Sequence, residues 1–151
     1  MTADDPLHRA AIYCSLPDAL EAMGERWSFL ILRGAFNGLR HFEQFQTTLG
    51  IARNILANRL ARLVEHGILE RHCCTDDRRK IEYRLTGKGE ALLPTLIALR
   101  QWGERWGDGG PVNPVLIDAR DRKPVGEIAV TAADGRKLSL QELRWVDRSE
   151  L

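Results

Sequence analysis

The sequence contains few cysteines, almost no excess charge and no long apolar run. Its 151 residues include three cysteines, Cys14, Cys73 and Cys74, an odd number that does not suit a framework of paired disulfides. No apolar stretch approaches the roughly 18 residues that a membrane-spanning helix needs. The opening residues, 1–6, include two acids and lack the basic and then apolar order of a secretion signal. We therefore expect a cytoplasmic protein that does not contact membranes.

Sequence motifs of enzymes and of metal sites are also absent. The chain has no glycine-rich phosphate loop and no nucleophile motif. His72 stands beside Cys73 and Cys74, but neighbouring residues on a strand face opposite ways and the spacing matches no standard metal site. We expect no catalytic residues, no metal and no cofactor. The remaining histidines are scattered along the chain: His8, His41 and His66.

The composition is that of an ordinary globular protein. Hydrophobic residues make up 44% of the chain and charged residues 28%, which argues against a disordered chain. The formal net charge is only +1, so no overall positive field indicates a nucleic-acid partner. Any argument for such a partner must therefore depend on where the basic residues lie.

Composition divides the chain into three regions. Residues 1–106 form a run of amphipathic segments, and residues 107–111 are a cluster of helix breakers typical of a linker. Residues 112–151 contain short alternating stretches typical of strands, a turn at Asp134-Gly135 and a capping box at 139–142. We interpret this last region as a small β-rich extension. Its role stays open between a stabilising flap, a dimer extension and part of an effector pocket.

The first region predicts four helices, a hairpin and a long final helix. Gly67 is placed to end the helix that precedes the hairpin. The final helix has Thr86 as its N-cap and a kink at Pro94. The predicted helices are 17–23, 26–37, 41–48, 52–66 and 86–106, and the predicted strands are 68–74 and 80–85. This order is that of a winged helix-turn-helix, so we expect a mainly α fold with a β-hairpin wing (α+β) and the C-terminal β-rich appendage.

The final helix is apolar on more than one face, and a small domain cannot bury that much surface alone. This excess predicts a second copy of the chain as partner, with the dimer interface formed by the large apolar side chains of this helix. The predicted interface residues are Leu92, Leu96, Leu99, Trp102 and Trp106.

The helix over 52–66 is the strongest candidate for reading double-stranded DNA. Leu56, Leu60, Leu63 and Val64 form its core-facing stripe, and residues 51–64 include three arginines and no acid. Asparagine can bond adenine edges and arginine can bond guanine edges, while alanine lets the backbone approach the groove. We predict base contacts from Arg53, Asn54 and Asn58, close approach at Ala57, and phosphate contacts from Arg59 and Arg62. The alternative is a solvated helix face.

The turn of the hairpin is a second candidate for DNA contact. Arg78, Arg79 and Lys80 lie at its tip, where a wing meets phosphates or the minor groove. The alternative is a charged turn that keeps strand edges from aggregating, and Asp76 and Asp77 beside the basic residues suit that interpretation.

Residues 14–106 resemble the HxlR-type family of bacterial winged helix-turn-helix transcription regulators. Gly24 followed by Arg26-Trp27 is similar to the family's Gly-Gly-Lys-Trp. Residues 81–89, Ile-Glu-Tyr-Arg-Leu-Thr-Gly-Lys-Gly, are similar to its Val/Ile-Glu-Tyr-x-Leu-Thr-x-x-Gly. The other matching positions are Cys14, Ala19, Leu20, 30–33, Arg40, Phe42, Phe45, Ile51, Leu56, Arg59, Leu60, Leu63, 67–71, 92–94, Trp102 and Gly103.

The resemblance implies a winged-helix dimer, joined through its terminal helices, that represses or activates nearby genes. Two departures stand out. Ala52 occupies a position where relatives often have a serine that caps the recognition helix. Asp118 and Asp121 stand where relatives with a similar tail often have a Cys-x-x-Cys knuckle, and two aspartates at this spacing do not make a structural zinc site.

The resemblance also makes Cys14 a candidate sensor, because some members of the family react with quinones, aldehydes or oxidants through the matching cysteine. Such a reaction needs a thiolate, which a nearby helix N-terminus favours. Cys14 precedes Pro17, close to a predicted helix start. The alternative is an ordinary, half-buried cysteine.

Two functions follow from these patterns. The first is a sequence-specific DNA-binding transcription regulator, a repressor acting as a homodimer on an inverted repeat and responsive to a small-molecule or electrophile effector through Cys14. The second is a winged-helix protein-interaction module that does not bind DNA; the low net charge and Ala52 favour it. We do not expect an enzyme.

Overall fold

The computed structural model describes residues 14–73, 80–109 and 113–151. The chain divides into two compact units, Asp18–Leu96 and Ile97–Leu151, of which the second also takes in residues 14–17. Cys74, Arg78 and Arg79 lie outside the described residues. None of the described helices is long and apolar enough to cross a membrane. The elements are α1 (Leu16–Met23), α2 (Arg26–Phe36), α3 (Phe42–Leu49), α4 (Arg53–Glu65), β1 (Leu69–Cys73), β2 (Ile81–Leu85), α5 (Gly87–Glu90) and α6 (Leu93–Trp106).

The first unit confirms the predicted helices and hairpin through residue 85, with ends that differ by one residue. The leucine stripe of α4 packs against α2, α3 and the hairpin, and its three leucines are fully buried. Gly67 ends α4 with φ +68°, and the N–H groups of Gly67 and Ile68 return to the carbonyls of Val64 and Leu63. The core consists of Met23, Ile31, Leu32, Ala35, Phe45, Ile51, Leu56, Leu60, Leu63, Ile68 and Leu69.

The hairpin is antiparallel and is attached to the loop before α3. Leu69 pairs with Leu85 at one end and Cys73 with Ile81 at the other. The N–H of Tyr83 donates to the carbonyl of Arg40 at 2.7 Å. Because this bond adds the 40–41 segment to the edge of β2, the hairpin holds a defined position beside the start of α3.

The long final helix differs from the prediction. Thr86 is the expected N-cap, and its hydroxyl accepts the N–H of Gly89. The helix stops after Glu90 and a second helix, α6, begins at Leu93, so the chain has a break rather than a kink at Pro94. Proline has no N–H and its ring would clash with the carbonyl of residue 90, whereas the first turn of a helix tolerates it.

The second unit contains most of α6 and the extension over 113–151. The strands that we expected in the extension are single β-bridges, Ile117 with Pro124 and Thr131 with Lys137. The reason is a series of tight turns, in which three aspartates accept backbone N–H groups two residues ahead: Asp118 from Arg120, Asp121 from Lys123 and Asp134 from Arg136. The turn at Asp134-Gly135 and the capping box at 139–142 are confirmed, although the box begins only a short 3₁₀ helix, Leu140–Glu142.

The extension is attached to α6 by side chains of this helix. Gln101 donates to the carbonyl of Gly126 at 2.9 Å and accepts the N–H of Ile128 at 2.8 Å. Arg100 adds a bond to the carbonyl of Pro114. The face of α6 that carries these two side chains is therefore occupied by the extension.

Glu25 caps the N-terminus of α2. Its carboxylate accepts the N–H groups of Trp27 at 3.1 Å and Ser28 at 2.7 Å, and the Ser28 hydroxyl donates to it at 2.8 Å. Partial burial opposes ionisation of this carboxyl, but these hydrogen bonds and the nearby Arg59 outweigh that effect and lower the pKa of Glu25.

Substitution Ala52→Ser is expected to stabilise the protein by about 1 kcal/mol, because Ala52 has the extended backbone of an N-cap but no side chain to accept an N–H of the first turn. Urea unfolding of both proteins measures the difference. Ala61→Ser, at an exposed position inside the same helix, is the control and should be neutral or slightly destabilising. An equal effect of the two substitutions would contradict the capping argument.

The stabilising contribution of Glu25 should disappear in acid. Since its pKa is lower in the folded protein than the ordinary 4.5, the contribution is complete above that value and is lost as the pH falls through the folded pKa. The free energies of unfolding of wild type and Glu25→Gln should therefore differ most near neutral pH and converge as the pH falls below 4.5 and through the folded pKa. A difference that stays constant from pH 7 to pH 3 would refute this prediction.

Candidate nucleic-acid interface

Helix α4 presents a polar, acid-free surface along most of its length. Arg53, Asn54, Ala57 and Asn58 are exposed, while the leucine stripe on the opposite side is buried. The stripe fixes the rotation of the helix, because turning it would expose three leucines to water. The first turn of α4 has no side-chain cap, so the backbone N–H groups there can donate to an outside acceptor.

The start of α4 borders an open groove in the first unit. The Arg53 guanidinium lies over the ring of Phe42, 4.8 Å from its centroid, and this contact directs it along the groove. Lys80, which directly precedes β2, lines the same groove. The groove has a volume of about 570 Å³ and is lined by His41, Phe42, Glu43, Arg53, Lys80, Ile81 and Tyr83. Two cations therefore face one groove beside the N-terminus of α4.

His41 holds the wall of this groove in place. Its Nδ1 lies 3.1 Å from the carbonyl oxygen of Ile81, and its Nε2 lies 4.0 Å from Oε1 of Glu82. Glu82 also accepts two bonds from Arg84, at 2.8 and 2.7 Å. These contacts attach β2 to the start of α3.

The two arginines that we predicted for phosphates have carboxylate partners within the fold. The Nε of Arg59 lies 3.2 Å from Oε1 of Glu25, and Nη2 of Arg62 lies 2.8 Å from Oε1 of Glu21. Arg62 also donates to the backbone carbonyl of Glu21. Both side chains are directed toward α1 and the α1–α2 junction rather than outward beside Asn54.

The other predicted residues are only partly brought together. Arg78 and Arg79 fall outside the described residues, whereas Lys80 is exposed. On α6, Leu99, Trp102 and Trp106 recur at helical spacing on the side opposite Gln101 and are all exposed, the tryptophans to 67%. Leu96 is half-buried. Leu92 is also half-buried and packs against the core of the first unit, so it already has an intramolecular role.

The sulfur of Cys14 is exposed just before α1. Its Sγ accepts the N–H of Leu16 at 3.4 Å. In the ranges 14–73, 80–109 and 113–151, no group of three or more histidine, cysteine, aspartate or glutamate side chains is arranged to hold a metal ion.

Sequence reasoning missed Glu21, Glu25 and His41. A carboxylate three residues before Ser28 at the start of an apolar helix is an N-cap pattern that could have revealed Glu25. The pairings with Arg59 and Arg62 join positions 34 and 41 residues apart, and no local pattern predicts them.

Comparison with known proteins identifies the family to which the chain is similar. The family model described as an HxlR-like helix-turn-helix matches residues 22–110. An uncharacterized HTH-type transcriptional regulator of Mycobacterium tuberculosis is 46% identical over 92 residues, which are 61% of this chain and 58% of that relative. The chain thus spans less than two thirds of that relative's length. A second regulator of this type, from Synechocystis, is 32% identical over 68% of this chain and 76% of its own length.

Solved structures give the same result. The crystal structure of PA1607, described as a transcription factor, superposes with a TM-score of 0.81 at 41% identity, over 93% of this chain and 98% of that chain. The reduced form of the transcriptional regulator YodB from Bacillus subtilis has a TM-score of 0.56 at 28% identity, over 65% of this chain and 97% of its own. The fold is the expected winged helix, with α3 and α4 as the helix-turn-helix and β1–β2 as the wing. The chain belongs to the HxlR-like family of helix-turn-helix transcriptional regulators.

Proposed function

We propose that the protein is a sequence-specific regulator that binds double-stranded DNA as a homodimer, and that it is not an enzyme. The observation that carries the proposal is the exposed face of α4 over residues 53–58, which carries no acid and is flanked by a groove lined by Arg53 and Lys80. A helix of this kind fits the major groove, and its asparagines can bond base edges.

The polar side chains of α4 and the wing have different roles in this proposal. Asn54 and Asn58 read base edges, while Ala57 between them lets the backbone approach the groove floor. Arg53, which lies over the ring of Phe42, and Lys80, which lines the same groove of the protein, bind phosphates of one DNA strand. Arg78 and Arg79, which lie outside the described residues, are further phosphate contacts in this proposal.

The exposed apolar stripe of α6 supports the homodimer. Leu99, Trp102 and Trp106 form it, and the two tryptophans at their observed exposure present roughly 200–330 Å² of surface. A stable interface needs about 800 Å² from each partner, so further apolar surface must contribute. We assign that contribution to the exposed side chains of the extension: Val115, Leu116, Val125, Ile128, Val130, Leu140, Leu143, Trp145 and Val146.

Residues 107–111 act as the linker in this arrangement, with the DNA-binding region before them and the dimer-stabilising extension after them. A two-fold dimer would read an inverted repeat whose half-sites are about 34 Å apart. Repression is the proposed sign of regulation, because a dimer bound near a promoter blocks polymerase without any further contact. The cytoplasm is the compartment in which such a protein meets bacterial DNA.

A response to electrophiles or oxidants is proposed through Cys14. Its exposed sulfur lies at the start of α1 and accepts the N–H of Leu16. Similar structures include the redox regulator HypR in reduced and oxidised forms, at 26% identity. Loss of DNA affinity on alkylation of wild type but not of Cys14→Ser would support this response.

Fluorescence anisotropy of the purified protein tests the main proposal. The probe is a labelled duplex from the region upstream of its own gene, compared with a scrambled duplex across a salt series. Preference for the upstream duplex, with log affinity falling linearly in log salt, would support sequence-specific binding. Equal binding or no binding to the two duplexes would overturn it and favour a protein-interaction module.

Asn54→Ala and Asn58→Ala should each lower the preference for the upstream duplex by about 5- to 150-fold, because a bidentate base contact contributes about 1–3 kcal/mol of discrimination. The measured quantity is the ratio of the two dissociation constants. Gln141→Ala, which removes an exposed amide from the extension, is the control and should not change the ratio. Equal losses on both duplexes would show that the asparagines do not read bases.

Trp102→Ala should weaken the dimer by at least about 30-fold, since a central interface tryptophan commonly contributes about 2 kcal/mol or more. Sedimentation equilibrium measures the dissociation constant of the dimer. Ile55→Ala, at an exposed apolar position on α4, is the control and should leave the dimer unchanged. A monomeric wild type, or a Trp102 variant with wild-type association, would exclude this interface.

A further inference from the structure

Helix α4 is held on one flank by two ion pairs. The paired acids, Glu21 and Glu25, are four residues apart in the α1 region, and the paired arginines, Arg59 and Arg62, are three residues apart on α4. Each pair brings one turn of α4 against one turn of the preceding segment. The two contacts therefore constrain both the position and the rotation of α4, which a single contact could not do.

Of the two arginines, Arg59 lies on a flank separate from the DNA-facing side, whereas Arg62 lies only about 40° from Asn58 and is drawn away from it by its bond to Glu21. At 100° per residue, Arg59 lies about 60° from the leucine stripe, whereas Asn54 and Asn58 lie more than about 150° from it. Arg59 is only 28% exposed, and its Nε is buried without a hydrogen-bond partner of good geometry. Its compensation is the charge of Glu25, so withdrawing Arg59 toward DNA would leave the carboxylate of Glu25 without its cationic partner.

Glu25 joins this flank to a second helix. The same carboxylate that pairs with Arg59 caps α2, whose buried side chains pack against α4. A change at Glu25 therefore affects the start of α2 as well as the flank of α4.

We propose that Glu21 and Glu25 are positioning residues that set the angle of α4 through Arg62 and Arg59, and that these two arginines do not bind DNA phosphates. This inference rests on the proposed DNA-binding function. It replaces our assignment of Arg59 and Arg62 to phosphate contacts. It also means that Glu21 and Glu25, which do not touch DNA, contribute to sequence specificity.

The variants Glu25→Gln, Arg59→Gln and Arg59→Lys test it in the anisotropy assay. The substitution Glu25→Gln removes the charge and one of the two oxygens that cap α2, and keeps the other oxygen as an acceptor. We expect Glu25→Gln and Arg59→Gln each to reduce affinity for the upstream duplex by about three- to tenfold. The double variant should lose no more affinity than either single variant, because the two substitutions break the same pair. Arg59→Lys should restore part of the lost affinity. Arg136→Gln, which breaks an exposed pair with Glu142, is the control and should have no effect.

The salt dependence separates positioning from direct contact. A positioning role leaves the slope of log affinity against log salt unchanged in every variant. A phosphate contact by Arg59 would instead lower the slope by about 1 in Arg59→Gln. Higher affinity in Glu25→Gln would mean that the carboxylate competes with DNA for Arg59.

Either of those last two results would overturn the inference while the proposed function stands. Failure of wild type to prefer the upstream duplex would instead overturn the proposed function and the inference together. Thermal unfolding of each variant confirms that it is folded at the assay temperature. The variants Glu21→Gln and Arg62→Gln repeat the test at the more exposed ion pair, where neither substitution changes the α2 cap.

Discussion

The burial of three leucines of α4 is the constraint on which the rest of the interface depends. Leu56, Leu60 and Leu63 have essentially no exposure, and burying a leucine contributes about 1.5–3 kcal/mol. No rotation of the helix can keep all three inside and also turn the asparagines inward. The position of Asn54 and Asn58 on the surface is thus a consequence of apolar packing on the other side of the same helix.

Most of the first unit could be predicted from the sequence because its signals are local. The period of the leucines, the stop at Gly67 and the cap at Thr86 each involve residues within one or two turns of one another. The partners of Arg59 and Arg62 could not be predicted in this way. They depend on how α1 lies against α4, which follows from the packing of the whole unit and not from the spacing of charges along the chain.

Two differences have simple physical causes. Pro94 predicts a kinked helix, but the helix breaks before this residue. The reason is that proline lacks an N–H and its ring affects the carbonyl four residues earlier. The extension has the alternating pattern of strands, yet its aspartates close turns so often that only single bridges form. In both places competition between neighbouring local preferences decided the outcome.

No residue of 113–151 is buried within the chain itself, although this segment displays some of the largest apolar side chains of the protein. A segment with so little interior gains further stability from whatever covers it, and when the cover is a second molecule that stability varies with concentration by mass action. For a regulator covered by its own second copy, the amount of protein in the cell would govern folding of the extension and occupancy of DNA together. The gene's expression level would then act as an input to the regulator, alongside any chemical signal.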